Sequence, residues 1–344
     1  MTTTPTSRMK SFMLSGGWVL IGSAILFIAV MVWALAPAVL RMTNRPPGDG
    51  ASLHSYQFDL SNLRLPETAV LETAMLHRDM VPTLDSPIEI LTAQEVEDVA
   101  GTRAKYLVSN DPVVGVTIGD QSRAYPISML HVHELVHDEI GGVPIVVTWH
   151  WPSASPRVFD RRIDGDTRNF GVSGLVAGGN MVLYPRNLDG HIGDEPLISQ
   201  LLGRSITGPE MKMDSVPARF TNWHEWLQDN PDTTVAGRDA ALKKRYRHAD
   251  PAAYYISGGL IYDTPVLPDE PDAKSPVLLL DGPTPLVVRH NSTTGFDPPG
   301  PWKLVPPGGG NPPRIERTSS EATTDVRHSL WHSAHALGLT PLVP

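Results

Sequence analysis

The sequence predicts an α+β domain, mostly β with short helices, behind one N-terminal transmembrane helix. Three observations carry this. Residues Gly16 to Leu40 contain no ionisable side chain. The rest holds short β-branched runs broken by turn residues, in a chain with 33 Pro and 29 Gly among 344 residues. Hydrophobic residues make up 41% and charged residues 19%, which suits a packed core rather than a disordered chain.

The apolar segment comes first. It is 25 residues long, and a helix needs about 20 to cross the hydrocarbon core. Trp18 and Trp33 stand towards its two ends, where interfacial aromatics belong. The apolar part of a cleaved signal is usually about 7–15 residues. An Ala34-x-Ala36 site is present, but Pro37 follows it directly, so an uncleaved anchor over residues 16–40 is expected. Arg8 and Lys10 precede the span, and Arg41 and Arg45 follow it. The free N-terminal amine tips this near-tie towards a cytoplasmic N-terminus, with the domain outside.

Residues 1–15 read as a short tail and 41–65 as a linker, because Arg45-Pro46-Pro47-Gly48-Asp49-Gly50 cannot hold regular structure. A globular domain is expected over 66–265, with 266–344 as a divergent C-terminal part of it. Val113–Ile118, Gly119-Asp120 and Gln121–Tyr125 form a strand, turn and strand, a hairpin signature. Pro126 and Gly141-Gly142 bracket a predicted helix over Ile127–Glu139. Val143–Trp149 reads as a buried strand. Further strands are expected at Arg157–Ile163, Asn169–Ser173 and Met181–Tyr184, with Gly178-Gly179-Asn180 as a hairpin turn. Phe220–Gln228 and Ser329–Leu339 read as short helices. Pro306 to Pro313 is loop-like.

Composition excludes several chemistries. The net charge is −9 with no long Lys/Arg cluster, so nucleic acid is not an expected ligand. There is no cysteine, which removes disulfides, thiolate metal ligands, iron–sulfur clusters and Cys nucleophiles. Soft-metal chemistry is left to His and Met.

The densest functional signal is His131-Val132-His133-Glu134-Leu135-Val136-His137, followed by Trp149-His150-Trp151. On a helix, His133 and His137 share a face while His131 points elsewhere. With His150 returning on the next strand, three imidazoles would suit zinc or copper. His133-Glu134-x-x-His137 also matches the zinc-peptidase pattern, in which the Glu is the general base. Three readings follow: a metal-binding or accessory protein using His133, His137 and His150; a metal-dependent hydrolase with Glu134 as base; and an interaction domain without metal. The protein partner is left open. Other residues are weaker candidates. His224 lies between Trp223 and Trp226, where packing is expected. Ser173 lacks the nucleophile-elbow pattern. His328, His332 and His335 read as a solvated helix face.

The motifs in order resemble a family of unknown function, DUF3179. They are Arg78-Asp79-Met80-Val81-Pro82-Thr83-Leu84-Asp85, Arg123-Ala124-Tyr125-Pro126, His133-Glu134, Gly141 to Thr148, Val158-Phe159-Asp160-Arg161, Phe170 to Leu175, Gly208-Pro209, Trp223-x-x-Trp226 and Tyr254-Tyr255. The resemblance covers about 75–265 and implies a domain outside the cytoplasm without supplying an activity. Where the family usually carries Cys-Pro-x-Cys, this chain has His150 and Ser153. His for Cys preserves a metal site with harder ligands, but not thiol redox chemistry.

Overall fold

The computed structural model describes residues 18–43, 46–87, 89–99, 107–186, 193–248, 251–264, 267, 271–280, 286–289, 302–305, 314–317, 326–339 and 342–343. The expected N-terminal tail, Arg45 and the Pro306–Pro313 loop lie outside them. The chain divides into two units, residues 1–46 and 47–344. In the first, α1 (Trp18–Thr43) is one apolar helix, and its stretch Trp18–Ala36 is long and apolar enough to cross a membrane. A signal sequence passes the same test.

The second unit is sheet-rich with short helices, the class the sequence predicts. It already begins at Pro47, inside the stretch read as a linker. Leu53–Tyr56 is a 3-10 turn that plants Tyr56 and Phe58 in a core cluster with Leu175 and Tyr184. Arg78 anchors this entry: Nε donates to the Tyr56 carbonyl at 2.6 Å, and the buried guanidinium pairs with Glu195 at 3.3 Å and lies over Phe58. The chemistry of Pro-Pro-Gly-Asp-Gly forbids helix and strand but not packing, which explains the difference.

In chain order come β1 (Leu71–Thr73), β2 (Ile90–Thr92), α2 (Ala93–Val99), β3 (Pro112–Ile118) and β4 (Gln121–Pro126). The β3–β4 hairpin is as expected, with Gly119 at φ 62° in its turn and Ile118 opposite Gln121. Next, α3 spans only Ile127–His133 and ends at Glu134, whose N–H bonds to Leu130 O. Leu135–Ile140 is strand β5, paired with β6 (Val143–His150), which pairs in turn with β7 (Ser155–Asp160). The expected helix over Ile127–Glu139 is therefore half helix, half strand. Gly141-Gly142 stops no helix. Both residues have positive φ and close a two-residue hairpin between Ile140 and Val143. Pairing with the β-branched run of β6 overrides the local helical reading.

Arg162–Ile163 (β8) and Asp166–Thr167 (β9) form a small ribbon. They precede β10 (Phe170–Ala177) and β11 (Asn180–Pro185), joined at Gly178-Gly179 as the sequence suggests. Two-residue strands β12 (Ile198–Ser199) and β13 (Arg204–Ser205) complete the sheet β1-β10-β11-β12-β13. Ala218–Asn222 is β14, not helix. The helix, α4 (Trp223–Asp229), starts only where the Asn222 side chain caps Glu225 N at 2.9 Å. With β15 (Thr234–Ala236) these make the sheet β14-β3-β4-β15-β2, whose β4–β15 contact is parallel.

Then follow α5 (Lys243–His248), α6 (Ala252–Ile256), β16 (Pro276–Leu280), β17 (Leu286–Arg289), the ribbon β18 (Trp302–Val305) with β19 (Arg314–Arg317), β20 (Val326–Leu330), α7 (Trp331–Ala336) and β21 (Leu342–Val343). The described strands β16, β17, β20 and β21 of the C-terminal part make a sheet in the order β20-β16-β17-β21. The Ser329–Leu339 helix begins two residues late and is no solvated face, since Trp331, His332, Ser333, Ala334 and Ala336 are all buried. His328 sits on β20, edge-on to Phe220.

Candidate functional site

The structure separates the three histidines. His133, the last residue of α3, is buried. Its Nδ1 is 2.5 Å from Pro82 O and its Nε2 2.7 Å from the Tyr246 hydroxyl, which accepts from Asp239 N–H at 3.0 Å. One proton pattern fits: Nδ1–H donates to Pro82, and Tyr246 O–H donates to Nε2. Four residues on, His137 lies in β5, so the two do not share a helical face; the helix ends between them. Its Nδ1 is 3.1 Å from Leu84 O and 3.3 Å from Asp85, and its Nε2 accepts from Phe170 N–H at 2.8 Å. Burial, with Arg161 and Arg186 nearby, pushes His137 down to about 4, and burial lowers His133 as well. Both rings pin the Pro82–Asp85 segment to the sheets. The His131 ring lies 5.8 Å from that of Trp149, tilted by 48°. Among the described residues, no three His, Asp or Glu side chains form a group able to hold a metal ion.

His150 belongs to a different neighbourhood, built at the end of β6 and the turn Trp151–Ser153 that follows it. Its Nδ1 is 2.7 Å from Ser153 Oγ, which is 2.8 Å from Ser155 Oγ. Ser155 donates to Gln200 Oε1 at 3.0 Å, and Gln200 Nε2 donates to Thr148 Oγ1 and Ser155 O. Asn180 Nδ2 reaches both serines, at 3.0 and 2.9 Å. Each hydroxyl has one hydrogen. Ser155 spends its own on Gln200, so Ser153 must donate to Ser155, and His150 Nδ1–H must donate to Ser153. The Nε2 of His150 then keeps its lone pair. Burial, with His332 nearby, lowers His150 to about 3, so the imidazole is neutral.

Two groups stand around His150. Tyr262 stacks on its ring at 6.2 Å between centroids. His332, from α7, is buried with Nε2 3.3 Å from Pro152 O, and burial lowers it to about 4. Glu134 lies close to Tyr262. It caps α3 at φ 53°, a left-handed position unusual for Glu, and its carbonyl accepts from Trp149 N–H at 2.7 Å. Its side chain is enclosed, Oε2 has no hydrogen-bond partner, and burial alone raises the carboxyl to about 8. Burial raises the Tyr262 hydroxyl, and the charge of Glu134 adds to this.

A family model described as a protein of unknown function, DUF3179, matches residues 78–292, more than half of the chain. The chain is a DUF3179 protein. No curated protein and no solved structure matches it. DUF3179 motif residues thereby gain roles. Asp79 takes Val172 N–H and the Tyr184 hydroxyl and pairs with Arg186, tying the Arg78–Asp85 segment to β10 and β11. The Arg123 and Tyr125 side chains converge on Asp138, at 2.6 and 2.5 Å. Tyr254 and Tyr255 donate to Pro152 O and Trp151 O, over the turn after His150. Sequence reasoning singled out Glu134 and His150. It passed over Tyr262 and gave His332 a solvated face. Only the Tyr254-Tyr255 motif pointed to the segment that covers the site.

Proposed function

We propose that this chain is a membrane-anchored protein with its domain outside the cytoplasm, and that the domain binds a small molecule and exchanges a proton with it at Glu134. The length of α1 and the charge tie broken by the N-terminal amine support the placement. One observation carries the chemistry: Glu134 Oε2 is buried without a partner. Such an atom costs about 1–3 kcal/mol, and a left-handed non-glycine residue adds about 1 kcal/mol or more. Folds tolerate both in one residue chiefly where a working site requires them. A carboxyl raised to about 8 is a proton donor at neutral pH.

Binding zinc or copper through His133, His137 and His150, as accessory site or hydrolase, requires two of these rings to give up their bonds to Pro82, Tyr246, Leu84 and Phe170. Infrared difference titration of the full-length protein in detergent separates the readings. A protonated-carboxyl band that disappears between pH 7 and 9, and is missing in Glu134→Gln, is expected. A Glu134 already ionised at pH 6 removes the acid–base reading. Stoichiometric zinc or copper by elemental analysis, lost in the His133→Ala/His137→Ala/His150→Ala triple variant, establishes the metal reading instead.

A further inference from the structure

We infer that Pro251 to Thr264 is a movable cover over His150, and that Lys274 is the latch that holds it down. The inference goes beyond proton exchange at Glu134 and does not depend on it. The cover begins with α6, runs through Ser257, Gly258 and Gly259, and ends just past Tyr262. It meets His150 and the turn after it through three tyrosines. Tyr254 and Tyr255 donate to Pro152 O at 3.0 Å and to Trp151 O at 2.7 Å. The Tyr254 ring also stands edge-on to Trp151, and Tyr262 stacks on His150. Beneath them His150 is 3% exposed. Its Nδ1–H is committed to Ser153, which leaves Nε2 as an acceptor that a ligand meets once the cover has moved.

Lys274 stands on a fixed post. The carbonyls on either side of it, Ala273 O and Ser275 O, accept from His332 N–H at 2.9 Å and Trp331 N–H at 2.8 Å, at the start of α7. From there its Nζ reaches the cover. It donates to Tyr254 O at 2.6 Å, Ser257 O at 2.8 Å and Ser257 Oγ at 2.9 Å, and lies 3.8 Å from the centre of the Tyr254 ring. An ammonium has three hydrogens, and these acceptors take all of them. Every one of the acceptors belongs to the cover, so a single side chain ties the end of α6 to α7.

Little else opposes lifting. No residue of α6 is buried, and Ile256 is 89% exposed and Ile261 48%. The N–H groups of Tyr254, Tyr255 and Ser257 bond to Pro251 O and Tyr254 O, within the cover, so these bonds survive its movement. At the far end the tie is a long one, Asp263 N–H to Glu72 Oε2 at 3.4 Å. Nothing lies within 4 Å of the Cβ positions of Gly258 or Gly259, so the chain has room to swing there. A segment with few buried apolar contacts and solvent-exposed hydrogen bonds belongs to the low-stability end of a fold.

Acylation of histidines by diethyl pyrocarbonate, followed peptide by peptide in the mass spectrometer, tests this on the full-length protein in detergent at pH 7. The reagent attacks a neutral imidazole and reaches His150 only when the cover is off it. The rate at His150 therefore reports the open fraction. His54 and His224, both exposed, set the rate for an uncovered ring. His133 and His137, buried beneath other elements, report general loosening. In the wild type His150 should react about tenfold or more slowly than His54. Lys274→Met should speed it about tenfold. Tyr254→Phe/Tyr255→Phe, which removes both hydroxyls and keeps the rings, should do the same. His133 and His137 should not change in either variant. An unchanged His150 rate in Lys274→Met overturns the latch, and an unchanged rate in the double variant overturns the cover. So does a wild-type His150 as reactive as His54, or an acceleration that His133 and His137 share.

Discussion

Glu134→Gln should make the domain more stable at pH 8 and leave it nearly unchanged at pH 4. In the folded protein the carboxyl holds its proton up to about pH 8, against an ordinary value of 4.5. Below pH 4.5 folded and unfolded chains both carry the proton. Between 4.5 and 8 the unfolded chain has released it while the folded one keeps it, so stability falls as pH rises, and above 8 the loss is complete. At about 1.4 kcal/mol per pH unit the loss is at most about 5 kcal/mol, and relaxation of the pocket brings it to about 2–4. Glutamine keeps the size without the charge and removes this slope. The acid limb has the opposite sign. His137, His150 and His332, lowered to about 4, 3 and 4, stay neutral when folded but bind protons when unfolded below about 6.5. Their contribution is full above pH 6.5 and is lost as pH falls. Thermal unfolding of the full-length protein in detergent from pH 4 to 9 should show wild type most stable near neutrality. The variant should share the acid limb and lack the alkaline decline. An unchanged alkaline limb would sink the assignment.

Gly115→Ala should cost about 3 kcal/mol or more, at the upper end of overpacking penalties. Gly115 lies in β3 directly under the indole of Trp226, and an added Cβ would fall inside the ring's contact distance along three of its atoms. The indole cannot step aside. It is buried in a cluster with Val113, Ala124 and Trp223, and its Nε1 donates to Thr233 Oγ1 at 2.9 Å. Gly119→Ala is the matched comparison. Nothing lies within 4 Å of its Cβ position, so only its left-handed backbone, φ 62°, opposes the change, at about 1 kcal/mol. Equal midpoint shifts for the two variants would show that the Trp226 contact is not rigid.

The strands were legible wherever alternation met a turn of fixed chemistry, as at Gly119-Asp120 and Gly178-Gly179. Val143 to His150 was legible as an unbroken β-branched run. Boundaries failed where local and tertiary preferences compete. Leu135 to Ile140 has no strong period of its own and becomes a strand because β6 pairs with it. Phe220 to Asn222 is drawn into a sheet by β3 before the helix can start. The packing of Tyr56 depended on a partner, Arg78, with no local signature. The site was half legible. Glu134 and His150 stood out because they lie in short motifs, but spacing alone cannot say that His133 and His137 turn away from each other. Tyr262 and His332 are brought near by the segment after α6 and by α7, and nothing in their own neighbourhoods announces this.

The 2.7 Å contact between His150 and Ser153 has a consequence for the conditions under which the domain can work. In the resemblance to DUF3179 these two positions are the cysteines of Cys-Pro-x-Cys, a pair whose linkage depends on the electron balance of the surroundings. Imidazole and hydroxyl have no such dependence. Peroxide will not cross-link them, dithiothreitol will not part them, and alkylating reagents aimed at thiols have nothing to modify anywhere in the chain. The turn under the site therefore keeps one covalent state across the range from oxidising to reducing media.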